Sequence, residues 1–274
     1  MSDERAWAVI LGVSSGTGAA VAPAVARAPG LNVFGVHRGR HLDMAAQVER
    51  EVRDAGRQIH LRVADAGTPE GATQGAEELL RVAGPRSVKF FMHSIANASV
   101  GMLASADERQ LRPAQFQKTL DSMANSFVYW TQELLARDLL APGAHLLGLS
   151  NPMEDTVLRN TALIAATKAA LAIYVRHLAH ELGPRGHRVN LLKFGAVITP
   201  AVEKTFGQEK VQRLQQVLHR ALPARRLCTV EEVARFIAYL AGDEASWFNG
   251  ATIDFTGGEA QGFFDALLHP DGGR

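Results

Sequence analysis

The chain has 274 residues, 47% hydrophobic and 21% charged, and its 29 basic and 28 acidic side chains leave a formal charge of +1. That composition excludes a disordered chain, and the balanced charge gives no reason to expect nucleic acid or an anionic membrane as a partner. The lone cysteine, Cys228, excludes an internal disulfide and argues against a metal site; with a polar, acid-bearing start and no long uncharged apolar run, a soluble cytoplasmic protein is expected.

In chain order, short runs rich in Val, Ile, Leu and Phe alternate with longer amphipathic stretches. They predict strands over residues 7–11, 31–36, 58–63, 87–92, 145–149, 188–192 and 251–255. Helices are predicted between them, over residues 17–28, 42–55, 69–82, 113–140, 160–182, 202–222 and 229–241. Strands separated by helices predict one doubly wound α/β domain of Rossmann type, a parallel sheet of about seven strands over residues 1–258. Residues 259–274 carry Phe263, Phe264, Leu267 and Leu268 and are expected to pack as a tail on the body or on a neighbouring subunit. In such a sheet ligands bind beyond the carboxyl ends of the strands, where the strand order reverses. Residues just after a strand are therefore the ones to weigh for chemistry.

Directly after the first strand comes Gly12-Val13-Ser14-Ser15-Gly16-Thr17-Gly18, opening an Ala-rich helix. Glycines there let the backbone bend tightly and approach a pyrophosphate, while the helix start offers free N–H groups to the anion. A glycine-rich turn alone also fits an ordinary loop; its place after the first strand favours a dinucleotide. The second strand runs into Val36-His37-Arg38-Gly39-Arg40, and the nearest acid, Asp43, lies beyond the turn. Basic residues at this point accommodate an adenosine 2′-phosphate, so NADP(H) is expected over NAD(H); a pair of solvated surface arginines is the alternative. Asp65, after the third strand, is placed to contact the adenine or to cap the helix that follows.

These residues resemble the short-chain dehydrogenase/reductase family over nearly the whole chain. The turn Gly12-x-x-x-Gly16-x-Gly18 is similar to the family's glycine motif, whereas His93-Ser94-Ile95-Ala96 resembles the enoyl-acyl-carrier-protein reductase branch. The block Ala165–Leu171, residues 181–190, the turn 195–199, residues 223–226 and the closing Thr256-Gly257-Gly258 resemble that branch too. The resemblance implies NAD(P)H binding, hydride transfer on a small-molecule or acyl-thioester substrate, and a homotetramer. It implies that Gly12, Ser14, Gly16 and Gly18 hold the pyrophosphate and that Ser94, Ile95 and Ala96 line the adenosine side. Lys168 would bind the nicotinamide ribose, Val197 and Thr199 would meet the carboxamide and inner phosphate, and Ser150 falls where the family keeps a substrate-orienting serine.

The family's proton donor is a tyrosine four residues before the lysine, or seven before it in the enoyl-reductase branch. Here Ile164 and Thr161 occupy those positions, and Tyr129, Tyr174 and Tyr239 have neither spacing. A second tyrosine of the enoyl reductases aligns with Asn151, and the helix asparagine of the main branch with Met123, Asn125 lying nearby. An aliphatic hydroxyl is a far weaker acid than a phenol of pKa about 10, so Thr161 cannot simply take over. Three readings stay open. One is a reductase with altered proton delivery, in which Thr161, Asn151 or water stabilises a thioester oxyanion and carbon takes its proton from solvent. Another is a non-redox biosynthetic enzyme using Lys168, His93 or Ser150 as acid or base. The third is a catalytically inactive NADP(H)-binding sensor or partner subunit.

Lys168, in an Ala-rich helix, reads either as a ribose ligand or as an exposed helix lysine. His93 reads as a core histidine or a catalyst, and Ser150-Asn151-Pro152 also reads as a turn. His177 and His180 fit a solvated helix face. Residues 200–226 are expected to cover the substrate; the stripe Val202, Phe206, Val211, Leu214, Val217 and Leu218 suits an acyl chain or plain core packing. Arg225 and Arg226 could hold a phosphate-bearing carrier or only a salt bridge.

Overall fold

The computed structural model describes residues 5–259 and 261–262. Seven parallel strands form one sheet: β1 (Trp7–Leu11), β2 (Asn32–His37), β3 (Ile59–Val63), β4 (Val88–His93), β5 (Leu140–Ser150), β6 (Arg188–Phe194) and β7 (Thr252–Phe255). Their order is β3-β2-β1-β4-β5-β6-β7, reversing between β1 and β4, which puts a crevice at the carboxyl ends of those two strands. The helices are α1 (Gly16–Arg27), α2 (Leu42–Asp54), α3 (Pro69–Ala83), α4 (Pro113–Leu120), α5 (Ser126–Ala136), α6 (Ala162–Leu182), α7 (Pro200–Phe206), α8 (Gln208–Ala221) and α9 (Val230–Leu240).

Alternation along the central strands builds two cores. Trp7, Val9 and Leu11 of β1 join Phe91, Phe127, Trp130 and Leu171 on one face. Ala8 and Ile10 point the other way and join Phe90, Met92, Val25 and Ile237. Each fully buried Leu, Ile or Phe contributes about 1.5–3 kcal/mol relative to exposure, so these two layers dominate the fold's stability. Trp130 keeps its polar atom satisfied by donating from Nε1 to the Ala66 carbonyl at 3.0 Å. The long apolar helix α6 packs on β5 and β6 and buries Leu171, Val175, Leu178 and Leu182 in the first core.

Strand positions follow the sequence closely, with three differences. The predicted helix over residues 113–140 is α4, one wide π turn (Asp121–Asn125) and α5, and its end belongs to β5. That strand begins early because it bulges: β4 advances from Val88 to Phe90 while β5 advances from Leu140 to His145. Pro142 and Gly143 look like a turn in the sequence but sit in the bulge, where a central strand tolerates them. The predicted helix over residues 202–222 is two helices, α7 and α8, broken at Gly207, whose φ of 80° no helix residue shares. Phe263, Phe264, Leu267 and Leu268 lie outside the described residues.

Candidate active site

The glycine turn joins β1 to α1 at the crevice. Gly12 has φ 86° and packs so closely that a Cβ would collide with the Ser94 carbonyl oxygen, just as a Cβ on Gly18 would collide with the Gly12 carbonyl. The exits of β1 and β4 and the start of α1 thus meet with no side chain between them. Ser94 is held there by its own N–H, which donates to Leu11 O at 3.0 Å; Ser94 and Ile95 are half-buried, Ala96 exposed and Ser14 buried. Ser15, the residue before α1, makes no side-chain cap, and the first turn carries no acid. Opposite Gly16 stands Thr199: its Cβ and methyl lie 3.4 Å from where a Gly16 Cβ would be. Thr199 itself caps α7, accepting from Val202 N–H, and Val197 is buried beside the loop. The arrangement fits a dinucleotide: an uncapped helix start without carboxylates, floored by glycine.

Arg38 and Arg40 lie just beyond β2, both exposed, and among the described residues neither makes a hydrogen bond or ion pair. Asp65 is exposed and accepts from Gly67 N–H at 2.9 Å, which shapes the turn after β3. The cap of α3 is Thr68, accepting from Gly71 N–H at 3.0 Å.

A second group of residues gathers where β5, β6 and α6 meet. Lys168 is buried on α6, which removes the reading of an exposed helix lysine, and its Nζ donates to Leu149 O at 2.7 Å. Burial brings its pKa down to about 8, while the Glu154 carboxylate nearby pulls the other way. Ser150 ends β5 and is buried, donating from Oγ to Glu154 Oε2 at 3.1 Å. Lys193, in register with Ser150 on β6, reaches Glu154 Oε1 at 2.8 Å and also pairs with Asp155. Asn151 accepts from Met153 N–H at 3.0 Å through Oδ1, and its side-chain amide makes no hydrogen bond among the described residues. Thr161 is buried immediately before α6, and its hydroxyl proton goes to Leu158 O at 3.0 Å.

Behind them His93 is buried at the end of β4. Ser126 Oγ gives its own proton to Ser122 O at 3.0 Å, so it accepts the Nε2–H of His93 at 2.8 Å. That tautomer leaves Nδ1 as an acceptor, and among the described residues it has no partner. Burial, reinforced by the Lys168 charge, lowers the imidazole pKa to about 3, so His93 is neutral at ordinary pH. The phenols lie elsewhere: Tyr129 donates to Asp121, Tyr174 to Asn125, each at 2.9 Å, and Tyr239 is half-exposed on α9. Met123 is buried in the π turn.

Glu154 and Lys193 were not singled out by the sequence, although both stand just beyond or at the end of a strand, where chemistry was expected. Arg226 takes the salt-bridge alternative, gripping Glu232 through both terminal nitrogens at 2.6 and 2.7 Å, and Arg225 donates to Arg220 O at 2.6 Å. His177 and His180 are exposed, and in the stripe over residues 202–218 Val211 and Leu218 are buried, the other four partly so. An open cleft of about 600 Å³ lies between residues 100–115 and Asn160. Gly101 N–H donates to Asn160 O at 3.0 Å and ties its two walls together. Its lining is mixed: Val100 is exposed and Leu111 buried, while Glu108, Arg109, Gln110, Arg112 and Gln115 are polar or charged.

A family model described as enoyl-(acyl carrier protein) reductase matches residues 12–259. The chain belongs to the short-chain dehydrogenase/reductase family of oxidoreductases. Among curated relatives of this short-chain dehydrogenase/reductase, 1-cyclohexenylcarbonyl-CoA reductase of Streptomyces collinus is 30% identical over 94% of this chain and 88% of its own. Enoyl-acyl-carrier-protein reductase (NADH) FabI of Escherichia coli is 29% identical over 61% of this chain and 62% of its own. Of solved structures, L-sorbose reductase from Gluconobacter frateurii, complexed with NADPH and L-sorbose, superposes with a TM-score of 0.80 at 23% identity, over 93% of this chain and 96% of that one. A short-chain dehydrogenase/reductase from Serratia marcescens gives 0.80 at 24% identity, over 93% and 98%. At that identity the likeness speaks for the fold alone, and it agrees with the seven-stranded doubly wound sheet.

Proposed function

We propose that this short-chain dehydrogenase/reductase is an NADPH-dependent reductase of 2-enoyl thioesters, carried on acyl carrier protein or coenzyme A, with proton delivery that does not use a tyrosine. The observation that carries the reading is the buried Lys168, whose ammonium is held beside Ser150 at the carboxyl end of β5. The similarity to a cyclohexenylcarbonyl-CoA reductase along most of the chain supports the same substrate class.

In this reading Gly12, Ser14, Gly16 and Gly18 hold the pyrophosphate, with Asp65, Ser94, Ile95 and Ala96 along the adenosine. Arg38 and Arg40, free of protein partners among the described residues, are available to a 2′-phosphate, which favours NADP(H). Lys168 binds the nicotinamide ribose, and Val197 and Thr199 border the carboxamide. The bound nicotinamide supplies a hydride. This chain's residues then have to stabilise the oxyanion that develops on the thioester. Asn151 has an uncommitted amide to donate, whereas the Ser150 proton is given to Glu154 and would have to turn toward the substrate. Thr161 is less suited, since its proton is already given to Leu158 O.

Assembly as a homotetramer belongs to the same proposal. Trp247 is 96% exposed and Ile173 and Tyr239 nearly half exposed, apolar surface that further copies would cover; sedimentation of the purified chain checks it. The activity is tested by following NADPH oxidation with a panel of 2-enoyl-CoA and acyl-carrier-protein thioesters, straight-chain and cyclic. Turnover is expected. Tight NADPH binding with no oxidation on the whole panel would overturn the reductase reading in favour of a binding protein.

A further inference from the structure

Resting on the reading of residues 195–199 as the loop beside the nicotinamide, we propose that Glu259 is a positioning residue for the nicotinamide half of the cofactor. It holds the Ala196 amide and so fixes the loop that carries Val197 and Thr199. The arrangement begins where β6 and β7 end side by side, Phe194 opposite Phe255. Just beyond, Gly195 lies against the Thr256 backbone, so close that a Cβ on it would run into the Glu259 carboxyl. From there Glu259 Oε2 accepts the Ala196 N–H at 2.9 Å.

Among the described residues that N–H is the carboxyl's one partner, and no cation pairs with it. Burial pushes the Glu259 carboxyl up from its ordinary value, and the Ala196 N–H pulls it back. Burying a carboxyl without a cation costs stability. What it secures here is one backbone amide at the root of the loop.

The loop is thereby held at both ends. Thr199 caps α7 and sets its methyl opposite Gly16, while Ala196 is tied to the chain leaving β7. Val197, buried, lies between the two anchors, one residue beyond the held amide. Backbone fixed on both sides has little left to order when a ligand arrives. The segment that covers the substrate is pinned to the same place. A Cβ on Gly262 would collide with the Ala221 carbonyl oxygen, and Gly257 and Gly258 pack against Leu222 and Pro223. Helices α7 and α8 thus leave from the loop that Glu259 holds and return to the residues around it. In the sheet order β7 stands at the edge opposite β3 and β2, where the adenosine is read. The influence of Glu259 therefore falls on the nicotinamide half alone.

The test is calorimetric titration of wild type, Glu259→Ala, Glu259→Gln and Glu259→Asp with two ligands. One is NADPH; the other is adenosine 2′,5′-bisphosphate, which has the adenosine and its 2′-phosphate but no nicotinamide. Glu259→Ala is expected to lose about 10-fold in NADPH affinity and to bind the bisphosphate as wild type does. Glu259→Gln keeps an acceptor oxygen at the same reach and should restore NADPH affinity. Glu259→Asp keeps the charge but draws the oxygen back, so it should lose as Glu259→Ala does, and it serves where Glu259→Ala does not fold. An equal loss for both ligands, no loss in Glu259→Ala and Glu259→Asp, or no rescue by Glu259→Gln overturns the positioning role and leaves the cofactor reading standing. A wild type that binds NADPH no more tightly than the bisphosphate, or binds neither, overturns the reading of the loop, and the role of Glu259 with it.

Discussion

The Lys168 ammonium donates to the Leu149 carbonyl oxygen at 2.7 Å, tying helix α6 to the last residues of β5. The tie fixes the lysine beside Ser150, but the carbonyl dipole and the nearby Glu154 carboxylate only partly offset the cost of burying the cation. Its pKa in the folded protein is about 8 against an ordinary 10.5. Between those values the unfolded chain binds more protons than the folded one, so stability rises with pH across that window. The penalty of burying the charge is present below pH 8 and is relieved on the way to pH 10.5, worth about 3 kcal/mol. Urea unfolding of the cofactor-free protein and of Lys168→Met should show the wild type gaining on the variant by that order from pH 7.5 to 10.5. A pH-independent difference would mean that the lysine is solvated. The same variant should lose most of its NADPH affinity.

At the glycine turn the expectation is steric. Gly12→Ala places a methyl group on the Ser94 carbonyl oxygen and forces an alanine to φ near 86°. Backbone strain of this kind costs about 1–3 kcal/mol before any collision is counted. Both the melting temperature and NADPH affinity should fall. A variant that melts like wild type and still binds NADPH would show that the turn relaxes freely, against the packing described here.

Much of this architecture is legible in the sequence because its signals are local. Trp7–Leu11 is five buried residues in a row, and the glycine turn follows at once. The onset of β5 is not legible, since Pro142 and Gly143 carry turn chemistry and only the uneven advance of β4 and β5 shows them to be a bulge. The break at Gly207 is hidden by an apolar period that continues through it. Lys168 was identified from its neighbours, but its partner Leu149 O is a backbone atom that no side-chain pattern encodes. Glu154 meets Lys193 because β5 and β6 pair Ser150 with Lys193 in register and the turn Pro152–Asp155 follows β5 directly; their separation in the chain gives no spacing to read. Likewise the Thr161 hydroxyl is committed to Leu158 O, a fact of loop geometry.

Arg38 and Arg40 make the cofactor preference measurable. Both are exposed and without partners among the described residues, so replacing them by alanine should leave the fold and its melting temperature unchanged. A hydrogen bond to a charged group is worth about 1.5–3 kcal/mol, so each arginine should contribute roughly 10-fold or more to NADPH affinity. NADH, lacking the 2′-phosphate, should be affected little. Titrating cofactor fluorescence in Arg38→Ala, Arg40→Ala and the double variant measures the ratio. Equal loss for both cofactors would assign the arginines elsewhere.

His93 governs the acid side. Its imidazole is buried, its Nε2–H is given to Ser126 Oγ at 2.8 Å, and its Nδ1 has no partner among the described residues. With a folded pKa of about 3 against 6.5 unfolded, the unfolded chain takes up a proton first as pH falls. Stability is therefore fully present above pH 6.5 and is lost progressively down to about pH 3, by an amount on the order of 5 kcal/mol. The physical cause is the cost of charging an imidazole in the core, sharpened by the neighbouring Lys168 cation. His93→Gln can keep a donor to Ser126 but cannot titrate. Chemical unfolding at pH 7 and pH 4.5 should show the wild type losing more stability than His93→Gln over that interval, with the gap widening toward lower pH. Parallel acid transitions in the two proteins would mean that the imidazole is open to water in solution, and a catalytic role for His93 would have to be reconsidered.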